Sequence, residues 1–229
     1  MNVRSQLLTT LAGGGDEYIS GAALAEKLGV SRNAVWKAVK SLEAEGFIIE
    51  SVTSKGYRLS GDSNRLAKEL IYPLLDTKAI GRDITILSEV DSTNNAAKEL
   101  ASAGAPHGSA VAAEMQTAGK GRIGRSFVSP VGKGLYVSAI IRPELSIEFA
   151  PMITAAAACA GAAAVESLCG QPVSIKWVND LYMNGRKICG ILTEASMGLE
   201  LKSLDYAVIG IGINVRSAKD TCPKMRSDL

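Results

Sequence analysis

From position 91 onward, the chain contains segments with the residue types of a binding and group-transfer site. The most distinctive is Gln116-Thr117-Ala118-Gly119-Lys120-Gly121-Arg122-Ile123-Gly124-Arg125, which runs on to Ser129-Pro130. It holds three glycines (Gly119, Gly121, Gly124) and the cations Lys120, Arg122 and Arg125; Lys133 follows, and no acid interrupts positions 119 to 133. Glycine lets backbone approach a ligand closely, and cations balance phosphate or carboxylate charge. The stretch is neither a Walker loop, since Gly-Lys-Ser/Thr is missing, nor a dinucleotide fingerprint, since the glycine spacing is wrong. Its glycine density points to a mobile cover over a small anionic ligand. On composition alone, a solvated basic loop or a nucleic-acid patch also fits.

Three further segments add to this. Asp91-Ser92-Thr93-Asn94 gathers hydroxyls, an amide and backbone N–H groups at a strand end and helix start, where the same residues also serve as ordinary caps. Lys176-Trp177-Val178-Asn179-Asp180-Leu181-Tyr182, followed by Arg186-Lys187-Ile188-Cys189-Gly190-Ile191-Leu192-Thr193-Glu194, sets a polar bend and a lysine beside apolar strands. In isolation it reads equally as a β-turn with a surface lysine. Ile209-Gly210-Ile211-Gly212-Ile213-Asn214 alternates glycine with isoleucine, which strips one strand face of side chains and leaves room for something flat beside it.

The elements that must position these groups follow from the pattern. Ile84–Val90, Ser109–Met115, Gly134–Arg142, Val173–Trp177, Leu181–Met183, Lys187–Ala195 and Asp205–Asn214 read as strands. Thr93–Ala103, capped by Asp91 or Ser92, and the alanine-rich Ile147–Leu168 read as helices. Asn184-Gly185 is a hairpin turn. Hairpin-linked strands with a few helices give a largely antiparallel or mixed sheet, so the class is α+β.

The first 62 residues form a separate unit. Leu7, Leu8 and Leu11 lie at helical spacing before Gly13-Gly14-Gly15. Ser20 caps a short helix that Gly29 ends. Ser31 caps a third helix running from Arg32 to about Glu45, with Val35, Trp36, Val39 and Leu42 as its apolar stripe. Two helices joined by a tight glycine-containing turn make a helix-turn-helix, and Phe47–Val52 with Gly56–Leu59 supplies a hairpin wing. Ser31, Arg32, Asn33, Trp36, Lys37 and Lys40 on the third helix, with Lys55 and Arg58 on the wing, are the expected DNA contacts, the helix in the major groove and the cations on phosphates. Residues 1–62 hold seven Lys/Arg against seven Asp/Glu, so any basic face arises by segregation of charge. Tight binding would then need a paired module on a two-fold operator. A three-helix protein-interaction module is the alternative. Residues 63–82, with helical spacing at Leu66, Leu70, Leu74 and Leu75 broken by Pro73, read as a linker plus a small entry element, and 83–229 as the larger unit.

Composition sets limits. The 229 residues are 47% hydrophobic and 21% charged with net charge +2, which excludes wholesale disorder and any global basic excess. Four scattered cysteines (Cys159, Cys169, Cys189, Cys222) and a lone His107 argue against a structural zinc site and for buried thiols in a reducing compartment. No metal ligands are assigned. The N-terminus lacks a signal-peptide pattern. The uncharged run from Phe149 to Val165 falls short of the ~20 residues of a membrane span, so it reads as a packed core helix of a soluble, cytoplasmic protein without a membrane partner.

Taken together and in this order, these segments resemble the bifunctional biotin–protein ligases that double as biotin-operon repressors. The resemblance runs from about Ser20 to Val215 and includes a winged helix over Ser20–Leu59. It implies a ligase core of the biotin/lipoate ligase type that uses biotin, ATP and Mg²⁺ to form biotinyl-5′-AMP. Biotin would then pass to a lysine of the biotin carboxyl carrier protein of acetyl-CoA carboxylase. The adenylate-bound protein would form a homodimer on operator DNA.

By motif, Ser92, Thr93, Asn94 and Gln116 would hold the biotin head group. Lys120, Gly121 and Arg122 would close over biotin and adenylate, and Lys187 would meet the carboxylate and phosphate. Asn179, Asp180, Phe127 and Asn214 would lie on the nucleotide side, with Lys187, Arg122 and Asp180 as the catalytic set. Phe127 stands where the family often has tryptophan. The family continues through a last helix and a small C-terminal β-barrel, and Arg216–Leu229 would enter that region, so the resemblance implies a core without its C-terminal domain. Two alternatives stay open: a lipoate–protein ligase or transferase, and a biotin-responsive DNA-binding regulator that does not ligate.

Overall fold

The computed structural model describes residues 2–61, 65–144, 146–197 and 204–215. Residues 216–229, to which the expected C-terminal continuation was assigned, lie outside that set, as does Cys222. The chain divides into two compact units, Met1–Leu75 and Asp76–Leu229.

In the first unit, α1 (Val3–Gly13), α2 (Gly21–Leu28) and α3 (Arg32–Ala44) precede a hairpin of β1 (Ile49–Val52) and β2 (Gly56–Leu59). The caps form as the sequence predicts. Ser20 and Ser31 hydroxyls accept from the N–H groups of Ala23 and Ala34, and Gly29 ends α2 in the left-handed conformation at φ 65°. Leu7, Leu8, Leu11, Leu24, Val35, Val39 and Leu42 fill the core; each contributes roughly 1.5–3 kcal/mol by burial.

Two expectations need correction. Trp36 is not part of the apolar stripe: it is 50% exposed, and Ala38 takes the buried position. The stretch read as linker is divided, because Ala67 and Leu70, the latter in the short helix α4 (Lys68–Ile71), pack on the first core.

The second unit is built on a seven-stranded sheet in the order β3-β4-β5-β9-β8-β7-β6. The strands are β3 (Ile84–Leu87), β4 (Ala110–Ala113), β5 (Gly134–Ile141), β6 (Ser174–Lys176), β7 (Asp180–Met183), β8 (Arg186–Met197) and β9 (Leu204–Asn214). Only β3 and β4 run parallel, so the sheet is mixed. Asn184 (φ 52°) and Gly185 (φ 74°) make the tight turn between β7 and β8, both in the conformation a two-residue hairpin requires.

The two helices pack against alternate residues of β9. Helix α5 (Thr93–Ser102) places Ala97 and Ala101 against Ile140, Tyr206 and Val208. Helix α6 (Ala150–Cys169) places Ala157, Ala158 and Ala162 against Leu181, Cys189, Ile191, Ile209, Ile211 and Ile213. Helix α6 runs past the uncharged segment to include Glu166. Its length and composition suit a membrane span, yet it buries one face on the sheet and leaves Met152 and Leu168 exposed. It is therefore packed on one side only. Cys159 and Cys169 on it are exposed, contrary to the expectation of buried thiols; Cys189 is buried.

Gly56 joins the wing to the rest of the first unit. Its φ is +112°, and a Cβ there would lie 2.1 Å from the Ile19 carbonyl oxygen, beside the paired backbones of Ile19 and Tyr57. Gly56→Ala should destabilise the first unit by at least about 2 kcal/mol. Urea unfolding followed by far-UV circular dichroism checks this, and an unchanged midpoint would overturn it.

Candidate active site

Strand parity builds the floor of the site. Gly190 pairs with Gly212, and Leu192 with Gly210, between β8 and β9. Tyr136 and Ser138 of β5 stand opposite Gly212 and Gly210 on the other side of β9. The odd-numbered isoleucines bury against α6, so the even-numbered glycines leave a strip of sheet without side chains on the opposite face. Two flat groups lie on it. A Cβ on Gly212 would sit 2.5 Å from the Phe127 ring, one on Gly190 would sit 3.2 Å from it, and one on Gly210 would sit 2.0 Å from the Asn94 amide oxygen. Phe127 also meets Tyr136 edge-on, with ring centroids 6.4 Å apart. The flat group anticipated beside the glycines is thus, in part, the chain's own Phe127.

Above this floor is a cavity of about 940 Å³, lined among others by Ser92, Thr93, Asn94, Gln116, Lys120, Gly121, Arg122, Phe127, Asn179, Asp180 and Lys187. Eleven of the twelve residues assigned to the core's site therefore converge on one cavity. The exception is Asn214, which ends β9 opposite Gly134 and is not among the lining residues. The lone His107 is also outside it; its Nδ1 accepts from the Arg142 N–H.

One end of the cavity is neutral and polar. The Gln116 carbonyl oxygen accepts from the Thr93 N–H at 2.8 Å and the Thr93 hydroxyl at 3.0 Å, while its Nε2 donates to Ser129 Oγ at 2.7 Å. The fully buried Ser138 hydroxyl lies 2.8 Å from Thr93 Oγ1 and 2.7 Å from Asn94 Oδ1. Asn94 Nδ2 donates to Glu194 at 2.8 Å and to the Leu192 carbonyl at 3.3 Å. Both N–H groups of Asn94 thus go to protein acceptors, and this amide anchors α5 to the sheet. Ser92 stands at the helix start, but its side chain makes no cap bond; Asp91 accepts from the Ser92 N–H instead.

The other end is charged. Lys187 Nζ lies 2.9 Å from Asp180 Oδ1, which also accepts from Asn179 Nδ2 at 3.0 Å. Asn179 Oδ1 in turn accepts from Arg122 at 2.9 Å. Lys120 donates to Asn95 at 2.6 Å. The glycine-rich loop thus spans the cavity, one cation reaching α5 and the other the β6–β7 bend. Among the described residues, no group of three or more His, Cys, Asp or Glu side chains is placed to hold a metal ion.

In the first unit, Arg32, Asn33, Trp36, Lys37 and Lys40 lie on the exposed face of α3, and Lys55 is exposed at the wing tip. Lys40 pairs with Glu43 at 2.6 Å. The Ser31 hydroxyl is committed to the cap. Arg58 on the wing pairs with Glu50 at 2.7 Å and lies over the Tyr18 ring at 4.8 Å.

Comparison with known proteins agrees with this architecture. Residues 87–214 match the biotin/lipoate A/B protein ligase family, and residues 3–58 match an HTH domain. The chain belongs to the biotin/lipoate A/B protein ligase family. It is 38% identical over 227 residues to the bifunctional ligase/repressor BirA of Bacillus spizizenii, covering 99% of this chain and 69% of that protein. It is 37% identical over 216 residues to BirA of Escherichia coli, covering 92% of this chain and 63% of that protein. A biotin protein ligase from Leishmania major, solved with biotinyl-5-AMP, matches at 30% identity and TM-score 0.51, over 61% of each chain.

Within this family member, several site residues escaped the sequence reading. Ser138 had a usable signal, since it is the polar residue of the inward-facing Tyr136, Ser138, Ile140 series. Glu194, Lys98 and Asn95 had none, because their partners are distant in sequence or shared with the loop. Burial pushes the thiol of Cys189 up to about 12, so it stays protonated beneath the site. Burial also pushes up the carboxyl of Glu194, but hydrogen bonds from Lys98 and Asn94 outweigh it and hold the group below the usual glutamate range.

A depressed carboxylate adds stability above its unfolded value, about 4.3, and loses it as pH falls through the folded value. Glu194→Gln should therefore be less stable than the parent at neutral pH, with the gap closing in acid. Unfolding midpoints across that range test this; parallel acid limbs would sink it.

Proposed function

We propose that this chain condenses biotin with ATP to biotinyl-5′-AMP, then transfers biotin to a lysine of the biotin carboxyl carrier protein, and that its first unit represses the biotin operon. The observation that carries the reading is the polarity of one cavity. Neutral groups of Thr93, Asn94 and Gln116, backed by the buried Ser129 and Ser138, lie at the α5 end, Arg122 and Lys187 lie at the β6–β7 end, and Lys120 reaches back to α5 through Asn95. A ureido head carries both donors and acceptors, matching the hydroxyls and amides at this end, whereas a dithiolane head carries no donor to exchange with them. A carboxylate tail ends near the cations. The names of the Bacillus and E. coli relatives, ligase and repressor in one protein, support the same reading.

In activation, the carboxylate oxygen attacks the α-phosphorus and pyrophosphate leaves. Bringing two anions together needs alignment and charge neutralisation more than an acid–base pair. Lys187 supplies a cation that Asp180 already holds in place. Arg122, anchored by Asn179, supplies a second from the loop, while Phe127 and Asn179 shape the nucleotide side. The closed loop keeps water from the mixed anhydride. In transfer, the carrier's amine attacks the acyl carbon, the amide bond forms and AMP leaves with the bonding pair. Asp180, the acid lining the cavity among the described residues, would take the amine's proton.

Mg²⁺ would arrive with the nucleotide and neutralise phosphate charge. Asp180 is the carboxylate available to it, in keeping with an ion that binds through one or two carboxylates plus substrate phosphates. On the DNA side, the exposed face of α3 with Lys55 fits a major groove and its phosphates, and an adenylate-bound homodimer would present two such faces to a two-fold operator. Such a protein acts in the cytoplasm, where ATP, carrier and operator meet.

Lys187→Ala should lower biotinyl-AMP formation by about a hundredfold to a thousandfold with the fold retained. Pyrophosphate release in the presence of biotin and ATP is the assay, and parental rates in the variant would remove Lys187 from the site. Arg122→Gly should speed release of bound adenylate by roughly tenfold to a hundredfold. An unchanged release rate in a stopped-flow chase would contradict the closing role.

A further inference from the structure

The two loop cations are held in the same way. Arg122 donates to a carboxamide oxygen, that of Asn179, whose Nδ2 donates to Asp180. Lys120 donates at 2.6 Å to the carboxamide oxygen of Asn95, whose Nδ2 donates to Asp91. Asn179 and Asp180 line the cavity; Asn95 and Asp91 are not among the lining residues. Asp91 and Asn95 are four residues apart at the start of α5, the spacing at which side chains meet. Because the carboxylate takes the amide N–H, the amide oxygen must face Lys120. Each hydrogen bond polarises the next, so the tether is stronger than an isolated amide contact. The carboxyl of Asp91 lies below its usual range, first because of the Asn95 hydrogen bond.

The type of acceptor matters. A carboxylate touching Lys120 would neutralise it and compete with an anionic ligand. A neutral amide fixes the position of the ammonium group without a contact ion pair, and Asp91 and Glu194 act on it through longer-range attraction.

We propose that Asn95, oriented by Asp91, is a positioning residue that tethers the Gly119–Arg125 loop over the cavity through Lys120 without a contact ion pair. The tether itself is a property of the protein alone; its consequence for adenylate retention rests on the biotin-activating reading.

The test uses the full chain and two readouts. Asn95→Ala lies on a helix surface and substitutes the best helix former, so the fold should persist. Without added ligand, trypsin should cut the variant after Lys120, Arg122 or Arg125 roughly threefold to tenfold faster than the parent, measured by mass spectrometry of early fragments. In a Lys120→Gln background, adding Asn95→Ala should leave cleavage after Arg122 and Arg125 unchanged, because the tether is already cut. With biotin and ATP, Asn95→Ala should speed adenylate release several-fold while biotin association stays at the parental rate. Parental cleavage in Asn95→Ala, or an undiminished effect in the Lys120→Gln background, would overturn the tether. Failure of the parent to form adenylate would overturn the biotin-activating reading, and proteolysis alone would then decide the tether.

Discussion

The core's site depends on a sheet face from which side chains have been removed. Gly190, Gly210 and Gly212 occupy neighbouring register positions on β8 and β9, and a Cβ at any of them would meet Phe127 or Asn94 at 2.0–3.2 Å. The alternation also serves the core. The intervening isoleucines and Cys189 bury on α6, so one strand can be fully apolar on one face and bare on the other. A cavity over a bare floor lets flat groups lie directly on backbone, which side chains of ordinary size would prevent.

The walls are fixed before any ligand chemistry. At the neutral end, Thr93, Gln116, Ser129, Ser138 and Asn94 satisfy one another, and Glu194 with Lys98 locks the amide of Asn94. Lys120, Arg122 and Lys187 each have a partner with a defined orientation. The three cations can thus be gathered in one place, each held by a hydrogen bond or ion pair to the protein. The first unit applies the opposite rule: its core is apolar and the polar face of α3 is left exposed.

The fold was largely legible because its signals are local. Caps at Ser20 and Ser31, the stop at Gly29 and the turn at Asn184-Gly185 each depend on a few adjacent residues, and they stand where expected. The errors also share a cause. Trp36 follows Val35 by one residue and so falls at the edge of the stripe that Val35, Ala38, Val39 and Leu42 form at i, i+3, i+4 and i+7. Cys159 and Cys169 sit on a helix whose apolar composition hides that only one face is covered.

By itself, the sequence determined the element types, the α+β class, the loop that carries the cations and the glycine alternation, because each is set by periodicity, capping or backbone freedom within a short window. Only the tertiary structure decided which groups meet: Phe127 on the glycine floor, Ser138 beneath Thr93, Glu194 behind Asn94, and the loop cations on Asn95 and Asn179. Hydrogen bonds between residues 25 to 100 positions apart depend on strand order and register, and these follow from how the whole sheet packs between α5 and α6.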